Sequence, residues 1–448
     1  TLCTLTSGSE NTCQIIFAAN SSTSGSYIVK VLYSEATTNL STVAMNAIPL
    51  ANTISLVVEG GLGPTPGTLF ISPLTESRIG VGGDAVATIS LSGSANITQP
   101  VNVLLTSSNP DVISESPISC RLTTESNSCN ITITGESSGT AIFIAAAPSY
   151  QTVTSDTLKV YQQYAYFINY LDNSCVQCNM WKGGIESDTC QKVISATDGI
   201  LNNPSGIAIN GQRIYITNDG SDSYSECDLG LNGIKLDTCR KTSLEILDHP
   251  SGIAINGGFS YILNSYSNSY LQCAINQSTI ESSTCQKITP TRPGMFIYPR
   301  AIAINANRAY ITDFDSNSYT QCIIGKNGIE PHTCLTLTPP FLGRLENPGG
   351  IAINDGFAYI TNYTGNNYTQ CVVGDDGIKL STCRTIAHLN MLSGPFGIAV
   401  NGKWIYITNV YENTGYTQCR IDKNGIKLDT CQLITIPSLD SPYGVAIY

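Results

Sequence analysis

Residues 203–216 read NPSGIAINGQRIYI, and close variants of this stretch return four more times toward the C-terminus. The later copies begin at residues 249, 298, 347 and 394, and the shared asparagines of successive copies lie 46, 49, 49 and 47 residues apart. Short apolar runs separated by Gly, Asn and Pro, at a period of roughly 45 residues, are typical of one four-stranded propeller blade per repeat. Helical repeats of similar length need amphipathic runs of about ten residues, which this sequence lacks. The sequence therefore predicts an all-β protein with a β-propeller in its second half.

The two ends of the repeat array predict how the propeller closes. The first unit, 164–195, has a second-strand run, YFIN, but no P-x-G-I-A-I segment in front of it. The last eight residues, 441–448, read SPYGVAIY and supply a lone copy of that segment. We therefore expect the C-terminal strand to complete the first blade, which gives a closed six-bladed propeller over 164–448.

The composition is that of a low-charge extracellular β-protein. Only 12% of the 448 residues are charged and the net charge is −11, which argues against nucleic acid and anionic membranes as partners. No apolar run approaches the roughly 18 residues of a membrane span, so none is expected. The chain begins at Thr1 without a signal peptide, and we interpret it as a mature or trimmed form.

Seventeen cysteines indicate an oxidising, extracellular or cell-surface location. Six pairs share a spacing of twelve residues, one pair per predicted blade, and five of the six midpoints are glycine. An odd-residue turn centred on glycine places its flanking residues opposite each other on antiparallel strands. Metal ligation is the alternative, but there are only three histidines and no paired C-x-x-C motifs. The expected blade disulfides are Cys178 to Cys190, Cys227 to Cys239, Cys273 to Cys285, Cys322 to Cys334, Cys371 to Cys383 and Cys419 to Cys431.

Residues 1–60 and 66–162 are related to each other. Each contains a cysteine, a polar turn, a second cysteine and an alternating strand, as in LCTLTSGSENTC from residue 2 and SCRLTTESNSC from residue 119. Short alternating strands separated by turn signals predict a β-sandwich. Local disulfides are expected between Cys3 and Cys13 and between Cys120 and Cys129. The stretch GLGPTPG at 61–67 is interpreted as a linker, whereas 158–169 leads directly from the second sandwich into the first blade, so those two domains are expected to hold a fixed relation.

The first sandwich copy is short at its front. Two residues precede Cys3, whereas the second copy has about fifty before Cys120. Three explanations remain open: the chain was cut from a longer protein, a neighbouring molecule supplies the absent strands, or the likeness misleads about completeness. Strand donation between identical subunits would make a polymer.

The P-x-G-I-A-I-N and Y-I-T-N signatures in 164–448 resemble the six-bladed NHL-type repeat and, more loosely, lactonase and YncE-like propellers. The two N-terminal units resemble the bacterial immunoglobulin-like domains of surface proteins. These resemblances imply the fold, since propellers of this kind serve as enzymes, ligand-binding modules and protein-docking rings. Gluconolactonase-like enzymes place Glu, Asn and Asp around a channel calcium. Here the positions after the second strands hold five asparagines and Asp313, a poor calcium cage, so these side chains are expected to bond turn backbone.

Two further sets of residues are candidates for function. Cys175 is the odd cysteine, at a position where the other five repeats have tyrosine, and an unpaired thiol or an intermolecular bridge is expected in preference to a redox C-x-x-C with Cys178. The residues in front of the inner-strand prolines differ from repeat to repeat and should lie near one mouth of the central channel. This predicted channel-mouth binding set is Asn203, His249, Tyr298, Asn347 and Ser441.

The sequence favours a structural or adhesive role over catalysis. No G-x-S-x-G, H-E-x-x-H or phosphate loop stands out, so we predict no enzyme activity, no metal site and no cofactor. The primary expectation is a secreted or surface protein that assembles with copies of itself, with sandwich domains as a stalk and the propeller as a head. An adhesin head that binds glycan or host protein is the alternative, and a lactonase-like hydrolase is the second alternative.

Overall fold

The computed structural model describes residues 68–92, 100–123, 125–148, 150–290, 292, 294–387, 391–411 and 415–448, and the backbone of four strands before them. Those four strands are β1 (Cys13–Ile15), β2 (Ser26–Lys30), β3 (Thr42–Asn46) and β4 (Ile54–Leu56). β1 pairs with β4 and β2 pairs with β3, both antiparallel. The predicted Cys3–Cys13 bridge and most of the predicted 1–60 domain lie outside the described residues.

Residues 68–161 form a two-layer unit around one apolar core. Its strands are β5 (Thr68–Ile71), β6 (Arg78–Gly80), β7 (Asp84–Ser92), β8 (Val101–Ser107), β9 (Ile113–Ser116), β10 (Ser119–Leu122), β11 (Ser128–Gly135), β12 (Gly139–Ala141), β13 (Phe143–Ala146), β14 (Val153–Thr154) and β15 (Leu158–Tyr161). The sheets have the orders β5-β7-β11-β9, β10-β8-β13-β14 and β12-β15-β6. Alternating residues of β8 are buried, with Val103 and Leu105 in a core shared with Ile133 and Phe143 of the other strands. This alternation is what a strand with one face toward a core requires.

The described residues from 164 to 448 form six meander sheets. The first contains β16 (Tyr164–Asn169), β17 (Ser174–Trp181), β18 (Gly184–Ile185) and β19 (Gln191–Ile194); the second contains β20 (Pro204–Asn210), β21 (Arg213–Asn218), β22 (Ser223–Gly230), β23 (Gly233–Ile234) and β24 (Arg240–Ser243); the third contains β25 (Pro250–Asn256), β26 (Phe259–Asn264), β27 (Ser269–Asn276), β28 (Thr279–Ile280) and β29 (Gln286–Ile288). The fourth contains β30 (Pro299–Asn305), β31 (Arg308–Asp313), β32 (Ser318–Gly325), β33 (Gly328–Ile329) and β34 (Leu335–Leu337); the fifth contains β35 (Pro348–Asn354), β36 (Phe357–Asn362), β37 (Asn367–Gly374), β38 (Gly377–Ile378) and β39 (Arg384–Ile386); the sixth contains β40 (Pro395–Asn401), β41 (Trp404–Asn409), β42 (Gly415–Asp422) and β43 (Gly425–Thr435). The C-terminal strand β44 (Pro442–Ile447) joins the first sheet beside β16.

The innermost strands of these sheets contact one another around a ring. β20 contacts β25, β25 contacts β30, and so on through β35, β40 and β44, which contacts β20 again. The predicted all-β propeller is confirmed. The described connections contain eight one-turn 3-10 helices: Ser187–Thr189, Ala196–Asp198, Asp219–Ser221, Leu236–Thr238, Ser282–Thr284, Pro331–Thr333, Phe341–Gly343 and Leu380–Thr382. None of the helices in the described part of the chain is long and apolar enough to cross a membrane.

Threonines at the end of the second strands connect neighbouring sheets. A bulge in β35 takes the Gly350 N–H out of the strand ladder, and this N–H donates to Thr361 Oγ1 at 2.7 Å. The same hydroxyl donates to the carbonyl of Phe396, in the sixth sheet, at 2.7 Å. Thr312 repeats the arrangement with Ala301 and with the Gly349 carbonyl, at 2.9 Å each. The Y-I-T-N threonine therefore joins its own inner strand to that of the next sheet.

Glutamines of the third strands make a second bridge between sheets. Gln321 donates from Nε2 to the Asp376 carbonyl at 2.9 Å and accepts at Oε1 from the Ile378 N–H at 3.3 Å. Both partners flank Gly377, in the outer hairpin of the next sheet. Gly377 has φ +104°, and a Cβ there would lie 2.0 Å from Gln321 Oε1. The hairpin glycine is therefore required by the positive φ and by the amide packed against it.

The second sheet lacks this glutamine bridge and has an ion pair in its place. Glu226 stands where the other sheets have glutamine, and Thr279 replaces the glycine of the hairpin it faces. Arg213 lies 3.4 Å from Glu226 Oε1 and donates to Thr279 Oγ1 at 2.6 Å. Burial raises the pKa of Glu226, and Arg213 opposes that rise. An ion pair with a hydroxyl contact thus replaces one amide bridge.

The asparagines after the second strands are buried and bonded to loop backbone. Asn362 Oδ1 accepts from the Glu346 N–H at 3.2 Å, and Asn409 Oδ1 accepts from the Ser393 N–H at 3.1 Å. Asn409 Nδ2 also donates to the Met391 carbonyl at 3.2 Å. These amides tie the loop in front of each inner strand to the second strand, as the turn chemistry of asparagine predicts.

Seven disulfides occur among the described residues, so the expectation of a disulfide-rich protein is confirmed. Each propeller bridge spans twelve residues with 4.1 Å between the Cα atoms. They join Cys178 to Cys190, Cys227 to Cys239, Cys273 to Cys285, Cys322 to Cys334, Cys371 to Cys383 and Cys419 to Cys431. In five sheets a 3-10 turn interrupts the outer strand just before the second cysteine, and a threonine hydroxyl there accepts from the third-strand N–H, as Thr333 does from Ile323 at 2.9 Å. Thr430 makes the same bond with the Arg420 N–H in the sixth sheet, where the outer strand is continuous. Cys120–Cys129 joins β10 to β11, which belong to different sheets of the two-layer unit.

The two-layer unit contacts the propeller at the hairpin of the first sheet. Trp181 packs against the core of the two-layer unit. Gln162 donates from Nε2 to the Met180 carbonyl at 3.1 Å, and the Met180 N–H donates to the Gln163 carbonyl at 3.0 Å. A Cβ on Gly82 would lie 2.5 Å from the Lys182 backbone nitrogen. The unit is therefore attached at the end of the propeller where the outer hairpins lie.

We expect Gly377→Ala to lower the free energy of unfolding by about 2–4 kcal/mol, because the new Cβ is strained at this φ and displaces the Gln321 amide. Gly402→Ala is the matched control, since φ is +55° there and no atom lies within 4 Å of the added Cβ. It should cost about 1 kcal/mol. Denaturant unfolding measures both values, and equal losses would contradict the role assigned to Gln321.

We expect Asp313→Asn to stabilise the protein at pH 8. Burial raises the pKa of Asp313 to about 7, against hydrogen bonds from Thr320 and Ser318, and Oδ1 has no partner among the described residues. Since the folded pKa lies above the unfolded value, the carboxyl's contribution is intact below about pH 4 and is lost as the pH rises through 7. The gain from Asp313→Asn should reach at most about 4 kcal/mol at pH 8 and vanish near pH 4.

Unfolding midpoints at several pH values test this dependence. Asn362→Asp in the fifth sheet is the matched control, because it should introduce the opposite change at the equivalent position. A gain from Asp313→Asn that is equal at pH 4 and pH 8 would show that charge burial is not its cause.

Candidate functional site

One end of the propeller gathers the starts of the inner strands and the loops that follow the second strands. Antiparallel pairing sets the strand-start proline beside the strand-end residue, as in Pro348 opposite Asn362. The outer hairpins and the two-layer unit lie at the other end. We call the first end the mouth, and it faces away from the two-layer unit.

Side chains at the mouth form a nearly continuous ring of aromatic groups, to which all six sheets or the loops leading into them contribute. We call this set the mouth ring. Its members are Tyr170, Asp219, His249, Tyr266, Tyr298, Phe314, Tyr363, Phe396, Tyr411 and Tyr443.

The ring is held by contacts between successive aromatic side chains. Tyr170 stacks on Tyr443 with 4.3 Å between ring centroids, and Tyr443 lies 4.4 Å from Phe396. Phe396 meets Tyr363 edge-on at 5.8 Å, and Tyr363 lies 5.0 Å from Tyr411. Contacts at such distances stabilise aromatic pairs beyond their buried area. Half of the mouth is therefore walled by rings that support one another.

The other half of the ring runs through the fourth and third sheets. Phe314 lies 6.2 Å from Tyr298, and Tyr298 lies 5.7 Å from Tyr266. Tyr266 stacks on the His249 imidazole at 3.7 Å. Tyr266 is 58% exposed and Tyr411 is 51% exposed, so the outer rim offers large ring faces to solvent. Exposed tyrosines that are held in place are typical of binding surfaces.

Asp219 closes the ring with two hydrogen bonds. Its Oδ1 lies 3.0 Å from His249 Nδ1, and its Oδ2 accepts from the Tyr170 hydroxyl at 2.7 Å. Burial, and next the bond to Asp219, raise the pKa of Tyr170, so the phenol remains a donor across the physiological range. The mouth thus contains one buried carboxylate in a fixed hydrogen-bond network.

Arg300 lies inside the ring, at the channel wall. Its guanidinium carbon is 4.7 Å from the Tyr298 ring centroid, 5.5 Å from Phe314 and 5.4 Å from Phe396. Its Nε and Nη1 are buried and have no hydrogen-bond partner in the described part of the chain. The positive charge lowers the pKa of Tyr298 and Tyr443, although burial dominates and the net shift is upward. The mouth therefore combines one cation with aromatic walls.

The predicted channel-mouth residues are all at this end, but in two roles. All five have positive φ, between +45° and +53°: Asn203, His249, Tyr298, Asn347 and Ser441. The side chains of His249 and Tyr298 belong to the mouth ring. Asn203 and Asn347 instead donate to the carbonyls of Tyr170 and Phe314, at 3.1 Å each, and Ser441 is 7% exposed. Asn203 and Asn347 therefore support the loops of the mouth, whereas the Ser441 side chain is buried.

Cys175 is a free, fully buried cysteine. Burial raises the pKa of its thiol to about 12, which keeps it protonated and unreactive. It occupies the site of the buried third-strand tyrosines, such as Tyr319 and Tyr368. This buried environment favours an unpaired thiol over the intermolecular bridge that was the other expectation for Cys175.

Most residues of the mouth ring are not predicted from the sequence. These residues follow the inner-strand proline directly, as Phe396 and Tyr443 do, or come one or two positions after the second strand, as Tyr170 and Tyr411 do, and Arg300 inside the ring also follows such a proline. Both positions vary among repeats whose neighbouring residues barely change. The same argument from variation that selected His249 could have selected them.

The comparisons with known proteins support the fold. No protein-family model matches the chain, and no curated protein matches it either. Among solved structures it is similar to a chain of a nidogen/laminin complex, with 12% identity, coverage of 64% of this chain and 98% of the other, and a TM-score of 0.50. A Lactobacillus plantarum protein gives 11% identity, coverage of 69% and 95%, and a TM-score of 0.46. A putative 6-phosphogluconolactonase from Bacteroides fragilis gives 12% identity, coverage of 80% and 100%, and a TM-score of 0.42. The chain is thus a β-propeller protein.

Proposed function

We propose that this is a secreted or cell-surface adhesive protein whose propeller binds a glycan or a protein at the mouth. The observation that carries the proposal is the mouth ring, which presents exposed, mutually supported tyrosines around a channel. At the channel wall, two buried nitrogens of Arg300 have no hydrogen-bond partner among the described residues. Rigid tyrosines contribute large contact area at a low entropic cost, which suits a binding surface. The seven disulfides suggest an oxidising, extracellular compartment.

We further propose that the six sheets are six blades, closed by β44, and that residues 66–162 form an immunoglobulin-like stalk. The two-layer unit sits at the hairpin end, so the mouth points away from it. A stalk on one side and a binding face on the other is the arrangement an adhesive head needs.

We propose binding in preference to catalysis. Asp313, the carboxylate considered for a calcium site, is 0% exposed and accepts from Thr320 at 2.6 Å. In the mouth, Asp219 already has Tyr170 and His249 as partners. The lactonase-like alternative has no stronger support, because the similar putative lactonase shares only 12% identity and a TM-score of 0.42.

The double variant Tyr266→Ala/Tyr411→Ala should lose binding in a screen of the full chain against a glycan array and immobilised extracellular proteins. Removing two exposed rings should weaken a retained ligand by at least about tenfold. Leu231→Ala is the control, since Leu231 is 73% exposed on an outer hairpin at the opposite end. Ligands that bind wild type and double variant equally, or no ligand at all, would refute the proposal.

Self-assembly is a second candidate, favoured by the N-terminal strands. Among the residues that the structure describes, β1 pairs with β4 and β2 with β3 as two-stranded sheets, whereas the related unit 68–161 builds two four-stranded sheets and a three-stranded one. Two-stranded sheets have edges that strands of another copy can extend. Negative-stain microscopy and light scattering of the unreduced protein should show regular fibres, and a monomer of 47.7 kDa at all concentrations would refute this candidate.

A further inference from the structure

We propose that the mouth selects an acidic saccharide, a sugar with one carboxylate, and that the carboxylate binds the Arg300 guanidinium. This inference rests on the proposed function, that the mouth is a binding surface. It adds the chemical class of the ligand and the residue that recognises it.

The guanidinium of Arg300 lacks some of its hydrogen bonds within the described structure. Two of its guanidinium nitrogens are buried without an acceptor, and the guanidinium is flanked by three aromatic rings. Ring faces attract a cation, but they do not replace the hydrogen bonds that water would give. A carboxylate matches one edge of the planar guanidinium, either Nε with Nη2 or Nη1 with Nη2, and would satisfy one of the two free donors. An anionic ligand group would therefore complete the contacts of this guanidinium.

The space beside Arg300 limits the size of that group. The channel cavity has a volume of about 90 Å³ and is lined by Arg300, Phe396, Tyr443 and inner-strand glycines. The strands are close there, since a Cβ on Gly252 would lie 2.7 Å from the Arg300 carbonyl oxygen. A carboxylate can enter this cavity, while the remainder of a larger ligand must lie across the mouth ring.

The mouth ring suits a ligand whose part outside the channel cavity is neutral and rich in hydroxyl groups. Asp219 is a buried carboxylate in the ring, and the chain has a net charge of −11, so a ligand with several negative charges is repelled. Hydroxyl groups can bond to the polar edges of His249 and the tyrosines, and the C–H face of a pyranose can pack on the exposed rings of Tyr266 and Tyr411. These features favour an acidic sugar over an acidic peptide.

Calorimetric titration of the full chain with glucuronic acid and with N-acetylneuraminic acid tests the inference. Glucose serves as the neutral probe and a poly-glutamate peptide as the acidic peptide. We expect at least one acidic sugar to bind, with an affinity that falls as salt is added. Arg300→Gln should weaken that binding about 10- to 100-fold, which corresponds to loss of a charge-assisted contact.

Two further variants make the result specific. Arg300→Lys keeps the charge without the fork and should retain part of the affinity. Arg420→Gln removes an exposed arginine that lies 5.0 Å over Trp404, toward the hairpin end, and should change nothing. Unfolding midpoints of all three variants show whether the fold is retained. If Arg300→Gln does not fold, the inference is tested by how the affinities of wild type and Arg300→Lys depend on the sugar's charge and on salt.

Other outcomes overturn the inference separately from the proposed function. Equal binding of glucose and the acidic sugars, or acidic-sugar binding that survives Arg300→Gln, would remove the role of Arg300 but leave the mouth as a saccharide site. Binding of poly-glutamate alone would show that the ligand class is wrong. No binding of any probe would also overturn the inference, while the tyrosine double variant in the array screen still decides the proposed function.

Discussion

Neighbouring sheets of this propeller are joined by side-chain hydrogen bonds, and the rest of the structure depends on that constraint. In the described residues, the backbone ladders run within each sheet, while Thr361 and Gln321 reach from one sheet to the next. Each bridge needs a particular donor or acceptor at matched positions in two sheets. This explains why threonine is the next-to-last residue of the second strand and glutamine precedes the cysteine of the third strand in most repeats.

The exceptions follow the same physical rule. Where Glu226 replaces glutamine, the facing hairpin has Thr279 in place of glycine, and Arg213 supplies the donor that a carboxylate lacks. Asp313 replaces asparagine without such a partner, so burial raises the pKa of its carboxyl to about 7. The buried charge of Glu226 is thus compensated by Arg213, whereas the stability of the structure around Asp313 depends on protonation of its carboxyl.

Function arises where the repeats differ. The scaffold residues are nearly the same in every sheet, but the residue after the inner-strand proline is serine, serine, arginine, glycine, phenylalanine and tyrosine in turn. The Arg300 guanidinium therefore packs against aromatic rings from the fourth and sixth sheets. Asp219 lies across the ring, beside His249 and Tyr170. A symmetric scaffold thus presents a cation, a carboxylate and aromatic faces in a fixed, asymmetric arrangement.

The sequence by itself determined the propeller, the strand order within each repeat and the disulfide-rich character, because these follow from local periodicity and from spacings repeated along the chain. It also located His249 and Tyr298 at the mouth, from their position before a proline. Only the tertiary structure decided that Tyr170, Asp219, Arg300 and Tyr443 meet, because residues up to 273 positions apart converge when the ring forms, and no local pattern records which loops face each other. It likewise decided that Asn203 and Asn347 support loops, since backbone carbonyls that accept their bonds come from the neighbouring sheet.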